Sequence, residues 1–428
     1  MAIICSEKWY SLGIATVIFA ANFAAWTMLA VLGVQIRADL GLSDTSFGLL
    51  LAMPILTGAF SHLPAGILAE RFGGRMVLFT QTVIVALSLF ALAYADTFYQ
   101  LLTVGLLVGV AGGTFISGVT YVSDWFERSM QGTAMGIFGA GVAGAAITNL
   151  LAPLIIANHG WQAVPFYYAI VLVILALAFW LTTKPDTKHS GDRHAIAALE
   201  SRKLPVNLSL LKELRVWRFG LYYHFVFGGF IALVLWLPQY YAGEYGLDLK
   251  TASFLSLLFA IPASMARALG GWFADNFGAR KINWAVFWVC LVCLFFLSYP
   301  KTTMIIHGIE QTLSVTININ LWVFTLLIFV VGVAMGFGKA SIYRIIYDYY
   351  PQDVGVVGGA VGTIGTLGGF TLPILFGLAA DITGIRSSCF MLLYGMLAGC
   401  MVLMFYAIKI DAFQHRVKQA YADEFLTL

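Results

Sequence analysis

Apolar runs of about twenty residues follow one another along the chain. There are twelve, near 9–34, 46–69, 76–95, 98–123, 132–157, 162–183, 217–242, 251–274, 283–299, 319–345, 355–379 and 387–409. A helix of that length crosses a hydrocarbon core about 30 Å thick. In lipid only helices and closed barrels satisfy every backbone polar group, and barrel strands alternate polar with apolar residues, which these runs do not. Only 11% of the 428 residues are charged and 60% are hydrophobic, against roughly a quarter charged in a soluble domain. The sequence predicts an all-α membrane protein of twelve transmembrane helices. The first run is long, one Lys faces one Glu in its leader, and no clear cleavage site follows, so it reads as a span rather than a removed signal peptide.

Charge placement orients the spans. With both termini cytoplasmic, 18 of the 24 Lys and Arg fall in cytoplasmic segments, while Arg37, Lys250, Lys301 and Arg386 fall in outer loops. That is the positive-inside pattern, and it predicts a multi-pass protein of the inner (plasma) membrane. The net charge of +3 then reflects topology, and nucleic acid is not an expected partner. Cys290, Cys293, Cys389 and Cys400 fall in spans, where Cys acts as a small apolar filler. Cys290 and Cys293 lack a second pair or a nearby His, so no metal, cofactor or disulfide framework is expected.

Residues 184–216 form the one long hydrophilic stretch and divide the spans six and six. They read as a cytoplasmic linker with a short surface helix, or alternatively as a regulatory docking segment. The expected units are residues 1–183, the linker 184–216, and 217–428 with a cytoplasmic tail. The halves repeat each other. In "GILAERFGGR" and "GWFADNFGAR", Gly66, Glu70 and Arg75 match Gly271, Asp275 and Arg280 at a constant offset of 205. "GTAMGIFG" (132–139) and "GVVGGAVG" (355–362) share glycines at their first, fifth and eighth positions. The first pair, with Arg71, resembles the loop signature of the major facilitator superfamily. That resemblance implies two pseudo-symmetric six-helix halves, a central site between them, and motif contacts that join the halves on the cytoplasmic side and break as the transporter changes state.

Every Asp and Glu falls at a span end or in a loop, yet Arg267 and Lys339 lie inside spans. An unpaired cation at mid-membrane costs at least about 2.5–3.5 kcal/mol. A bound anion offsets that, and the guanidinium fork suits a planar oxyanion. Arg267 precedes Asp275 by eight residues, about 12 Å of helix, so snorkelling to the near face is a stretch. Subtracting the offset of 205 from Arg267 gives His62 in span 2. His62 reads either as a neutral buried imidazole or as a second anion ligand able to carry a proton, with His224 the next candidate carrier. Lys339 either lines the path or meets backbone carbonyls. Gly139, Gly141 and Gly144 in span 5, and Gly362, Gly365 and Gly368 in span 11, allow close helix approach and could face a small substrate. Phe115, Tyr223 and Phe227 could complete a cavity; the last two are four apart, on one helix face.

"ARALGGWFADNFGAR", "GFGKASIYR", "DYYPQDVGVVGG" and above all "GAVGTIGTLGGFTLP" resemble the nitrate/nitrite porter family of the major facilitator superfamily, over essentially the whole chain. The resemblance implies uptake or exchange of nitrate and nitrite by alternating access. It also implies an anion held between arginines of spans 2 and 8 and rings of spans 4 and 7. Arg267, Phe115 in "GGTFISG", and Phe227 in "FVFGGF" with Tyr223 one turn earlier match that pattern. His62 stands at the span 2 arginine's position, and Val142 where the family has a polar residue in the span 5 motif. Both departures weaken nitrate binding or shift preference toward another small monoanion, such as nitrite or a short carboxylate. The expectation is a secondary transporter of a small inorganic anion, working as a monomer, with proton symport first and anion exchange second. An anion channel is the rival class; no catalytic constellation points to an enzyme.

Overall fold

The computed structural model describes residues 2–126, 134, 137–184, 210, 212–307, 312–350 and 354–426. Most of the expected linker, including 185–209, lies outside the described residues, as do Gly132 and Gly136 of the span 5 motif. Among the described residues, twelve helices are long and apolar enough to cross a membrane. Spans 1 to 6 cover Glu7–Leu40, Asp44–His62, Gly74–Ala93, Phe98–Ser123, Ile137–His159 and Ala163–Thr182. Spans 7 to 12 cover Leu214–Tyr245, Leu249–Arg267, Ala279–Leu297, Leu321–Tyr349, Val357–Thr383 and Ser388–Ile410. Because the number is even, both chain ends fall on one side, here called the terminal face. The helices of spans 2 and 8 continue past the apolar window to Phe72 and Phe277. Each then turns at a glycine of positive φ, Gly73 at 92° and Gly278 at 91°, a conformation that a Cβ disfavours.

The opposite face carries a β-hairpin between spans 9 and 10. Strands β1 (Thr302–His307) and β2 (Thr312–Ile317) pair antiparallel, from Thr302 opposite Ile317 to His307 opposite Thr312. A Thr303–Thr316 hydroxyl contact of 3.2 Å ties it near its open end. This side is the hairpin face.

Glycine positions decide how closely the spans approach. In the first half a Cβ on Gly112 of span 4 would lie 2.7 Å from Gly58 Cα of span 2. In the second half a Cβ on Gly336 of span 10 would lie 2.5 Å from the Ala263 carbonyl of span 8. Gly58 and Ala263 are separated by the offset of 205, so one helix contact is built twice.

Extensive contact between the halves lies toward the hairpin face. Span 11 packs on span 2, residues 144–159 of span 5 on span 8, and residues 229–245 of span 7 on residues 29–40 of span 1. At the span 2–span 11 seam, Gly48 lies against the Pro373 carbonyl and Gly377 against that of Asp44. The Asp381 carboxylate of span 11 then accepts the backbone N–H groups of Asp44 and Thr45 at 2.9 and 2.8 Å and the Thr45 hydroxyl at 2.6 Å. One half thereby supplies an N-terminal cap to a helix of the other, where free N–H groups and the helix dipole favour an anion.

The loop-motif residues sit at the terminal face. Arg75 donates from Nε to Thr183 Oγ1 at 3.1 Å, donates to the Trp180 carbonyl, and lies over the Trp180 ring. Asp275 pairs with Arg344 of span 10 at 3.2 Å, and Arg280 lies 5.5 Å from the Tyr349 ring centroid. Arg71 is exposed beside Phe72; the Glu70 side chain lies outside the described residues. The Arg75, Asp275 and Arg280 contacts just given run within each half. The physical reason is the packing just given: the halves meet toward the hairpin face, so at the terminal face each motif finds partners in its own half.

Candidate functional site

Span 7 sets the site. Its α-helix stops at Tyr223, passes through a π-turn over His224–Gly228, and resumes at Gly229. Such single-turn widenings inside α-helices often mark functional positions. The Tyr223 and Phe227 rings stack, with centroids 5.1 Å apart and planes at 17°. Gly365 of span 11 makes room: a Cβ there would lie 2.2 Å from Tyr223 Cδ1. The same span fixes the turn through His224, whose Nδ1 lies 3.0 Å from the Ile364 carbonyl and whose Nε2 lies 3.3 Å from Thr371 Oγ1. Both nitrogens of His224 are thus engaged.

Span 10 adds a cation and a second tyrosine. Lys339 and Tyr343 are four apart and share a helix face. The Tyr343 ring meets Tyr223 edge-on at 5.1 Å. The Lys339 ammonium, on a residue only 3% exposed, sits 3.1 Å from the Phe230 ring centroid and 6.0 Å from that of Phe227. An aromatic face is the one electron-rich surface an apolar interior offers a cation. Arg267, from span 8, is within electrostatic range of Tyr223, Tyr343 and Lys339. It is exposed, and among the described residues no carboxylate pairs with it. The second half therefore gathers two cations, two tyrosines and the Phe227 and Phe230 rings around the span 7 π-turn.

The first half contributes less charge. His62 Nε2 lies 3.1 Å from the Gly112 carbonyl, so the imidazole bridges span 2 to the short 3-10 segment Gly109–Gly113 that interrupts span 4. Phe115 follows that segment and packs on Phe19 and Phe138, at 5.4 and 5.8 Å between centroids. The expected span 5 glycines divide. Gly141 seats Phe19, Gly144 seats the Ala20 backbone, and Gly139 faces open space. In span 11, Gly362 lies beside the Tyr343 hydroxyl and Gly368 against Gly228. Tyr343 and Phe230 were not singled out in the sequence. The spacing signals were present, since Tyr343 lies one turn after Lys339 and Phe230 three residues after Phe227.

Two halves repeat one helix contact, and the second carries the widened helix. The Major Facilitator Superfamily model matches residues 14–319. A probable nitrate/nitrite antiporter, NarK1 of Thermus thermophilus, is 40% identical over 398 residues, covering 90% of this chain and 88% of the relative. The chain belongs to the nitrate/nitrite porter family of the major facilitator superfamily. The nitrite extrusion protein of Bacillus subtilis (strain 168) is 27% identical, covering 90% of each chain. Among solved structures, a bacterial homolog of the human lysosomal transporter Spinster, in an inward-facing and occupied conformation, superposes with a TM-score of 0.72 at 16% identity. That match covers 94% of this chain and 97% of the other, and shows the same fold. The protein is thus a multi-pass membrane protein of a transporter family.

Proposed function

We propose that the protein exchanges small monovalent anions, nitrate and nitrite first among them, by alternating access. It does so as a monomer in the cytoplasmic membrane with both termini inside. The basic residues of the terminal-face loops support that orientation. The relatives' names, a nitrate/nitrite antiporter and a nitrite extrusion protein, support the cargo class. The observation that carries the reading is Arg267, exposed within electrostatic range of the span 7 and span 10 rings and free of carboxylate partners among the described residues.

In this mechanism the anion enters from the terminal face and takes two parallel hydrogen bonds from the Arg267 guanidinium. Tyr223 and Phe227 flank it from span 7, and Phe115 flanks it from span 4. Lys339 adds a second positive charge from span 10. The halves then rock about the hairpin-face seam. Closing an empty cavity would desolvate Arg267 near Lys339 with no negative charge present, so the loaded form is the one that closes. That favours exchange over the proton symport placed first in the sequence reading. His62 retains a part: with Nε2–H donated to Gly112, Nδ1 is the nitrogen left to take a proton, and protonation there brings a third cation to the cavity without breaking that bond.

The test is labelled nitrate uptake into proteoliposomes. Internal nitrite is expected to drive it and a pH gradient alone is not. Uptake into anion-free liposomes driven by external acid would overturn exchange in favour of symport, and flux indifferent to trans anions would indicate a channel. Competition by short carboxylates equal to that by nitrite would move the cargo away from inorganic oxyanions.

A further inference from the structure

A cationic cavity is lined by residues other than those of the Arg267 cluster. It is formed at the terminal face by the ends of spans 7, 9, 10 and 12, and its lining includes Arg218, Tyr222, Arg280, Asn283, Tyr349 and Met404. Among the described residues, no Asp or Glu lines it. Its volume of about 20 Å³ admits one water-sized group, hence one oxygen of a larger ligand.

Three donors point to what is missing. Among the described residues, the Tyr222 hydroxyl, on a residue 3% exposed, has no hydrogen-bond partner, and neither has Arg218 Nε. The fully buried Asn283 amide donates to the Met404 sulfur at 3.7 Å, a weak acceptor. Both guanidiniums, Arg218 and Arg280, are within electrostatic range of the Tyr222 hydroxyl. Buried donors left unpaired are costly, so a cluster of them beside two cations describes the mould of an oxyanion.

The surroundings favour a lipid source. Trp217 beside Arg218, and Phe405, Tyr406 and Ile410 beside the span 12 lining residues, expose 57%, 45%, 60% and 56% of their surface. On a twelve-span protein such a surface faces lipid, and Trp and Tyr collect at headgroup level. Basic pockets between helices on the cytoplasmic side suit anionic headgroups.

We propose that this cavity binds the phosphate group of an anionic phospholipid from the leaflet on the terminal face. One phosphate oxygen enters between Tyr222 and Asn283, while Arg218 and Arg280 neutralise the charge at the mouth. The lipid would tie spans 7, 9, 10 and 12 together beside the span 8–span 9 loop motif that holds Arg280.

The experiment uses the full chain in neutral detergent, titrated with dioctanoyl phosphatidylglycerol, dioctanoyl phosphatidylcholine or inorganic phosphate. Native mass spectrometry reads bound lipid, and thermal unfolding reads stabilisation. One retained phosphatidylglycerol is expected, in preference to phosphatidylcholine. Arg218→Gln should weaken retention by about tenfold and Tyr222→Phe by a few-fold, with the lipid-free unfolding midpoint of Tyr222→Phe no lower than that of the wild type. Equal retention by both variants and the wild type would overturn the site. Stabilisation by inorganic phosphate without lipid retention would overturn the lipid source and leave a soluble oxyanion as the ligand.

Discussion

Spans 2 and 8 are the same helix written twice, and their differences show how the halves divide the work. At the offset of 205, Ser43 stands opposite Asp248, His62 opposite Arg267, and Arg75 opposite Arg280. Span 8 is self-sufficient at its hairpin-face end: the Asp248 carboxylate accepts the Thr251 N–H at 3.1 Å, and its hydrogen bonds to Thr251 lower its pKa. Span 2 has the neutral Ser43 cap, which accepts from Ser46 N at 3.2 Å, and Asp381 from the other half supplies the charge. At mid-depth the balance reverses. Span 8 carries the permanent cation Arg267, while the His62 imidazole is bonded to a backbone carbonyl. The second half thus holds the fixed charge of the site, and the first half receives the bond that closes the hairpin face.

The largest expected effect comes from making the halves alike at the wrong place. Position 365 in span 11 corresponds to Val142 in span 5 at the offset of 223 given by the paired glycine motifs. The first half tolerates valine there; the second has no room, because Tyr223 lies on Gly365. Gly365→Val should nearly abolish exchange in proteoliposomes and cost about 1–3 kcal/mol of stability through overpacking. Wild-type exchange by that variant would break the division between the halves.

Removing the charge on Asp381 tests the other side of the comparison. Asp381→Asn weakens the cap on span 2 and should enlarge, several-fold, the population open at the hairpin face. Spin labels at Leu40 and Ile382, both exposed, would report it as a longer inter-label distance. An unchanged distance distribution would mean that the apolar seam alone sets the equilibrium.

His62→Arg sharpens the contrast by restoring the cation that the resemblance implies for span 2. Nitrate affinity by calorimetry should tighten several-fold. A weaker affinity would show that the His62–Gly112 bridge matters more than a second fixed cation.

The smallest effect concerns the terminal face. The Tyr350 hydroxyl donates to Glu213, joining the end of span 10 to the start of span 7. Burial first, then that carboxylate, push its pKa up to about 12. A Tyr whose folded pKa is raised contributes stability below the unfolded value near 10, and loses it as pH rises through the folded value. Stability measured from pH 9 upward should therefore fall across that window, and Tyr350→Phe should flatten the slope.

The sequence made the spans legible because hydrocarbon imposes one rule on every residue it touches. It made Arg267 legible because a cation among apolar neighbours has few explanations. Other features depended on contacts between distant segments. The π-turn after Tyr223 has no local signal; it is held by His224 bonding to span 11. The Asp381 latch reads locally as an ordinary loop acid, and only the packing of Gly48 on Pro373 and Gly377 on Asp44 brings it to span 2. Tyr343 was hidden in plain sight, one turn beyond Lys339. The loop motif was legible as a repeat, but its partners depend on which face the halves close, and that is a property of the conformation.

The most direct test is nitrate binding to the purified protein, measured by calorimetry and by thermal unfolding, in the wild type, Arg267→Lys and Arg267→Gln. Nitrate should stabilise the wild type, Arg267→Lys should bind about tenfold more weakly through loss of the bidentate fork, and Arg267→Gln should show no nitrate-dependent shift. Undiminished binding by Arg267→Gln would contradict the assignment of the anion to this guanidinium.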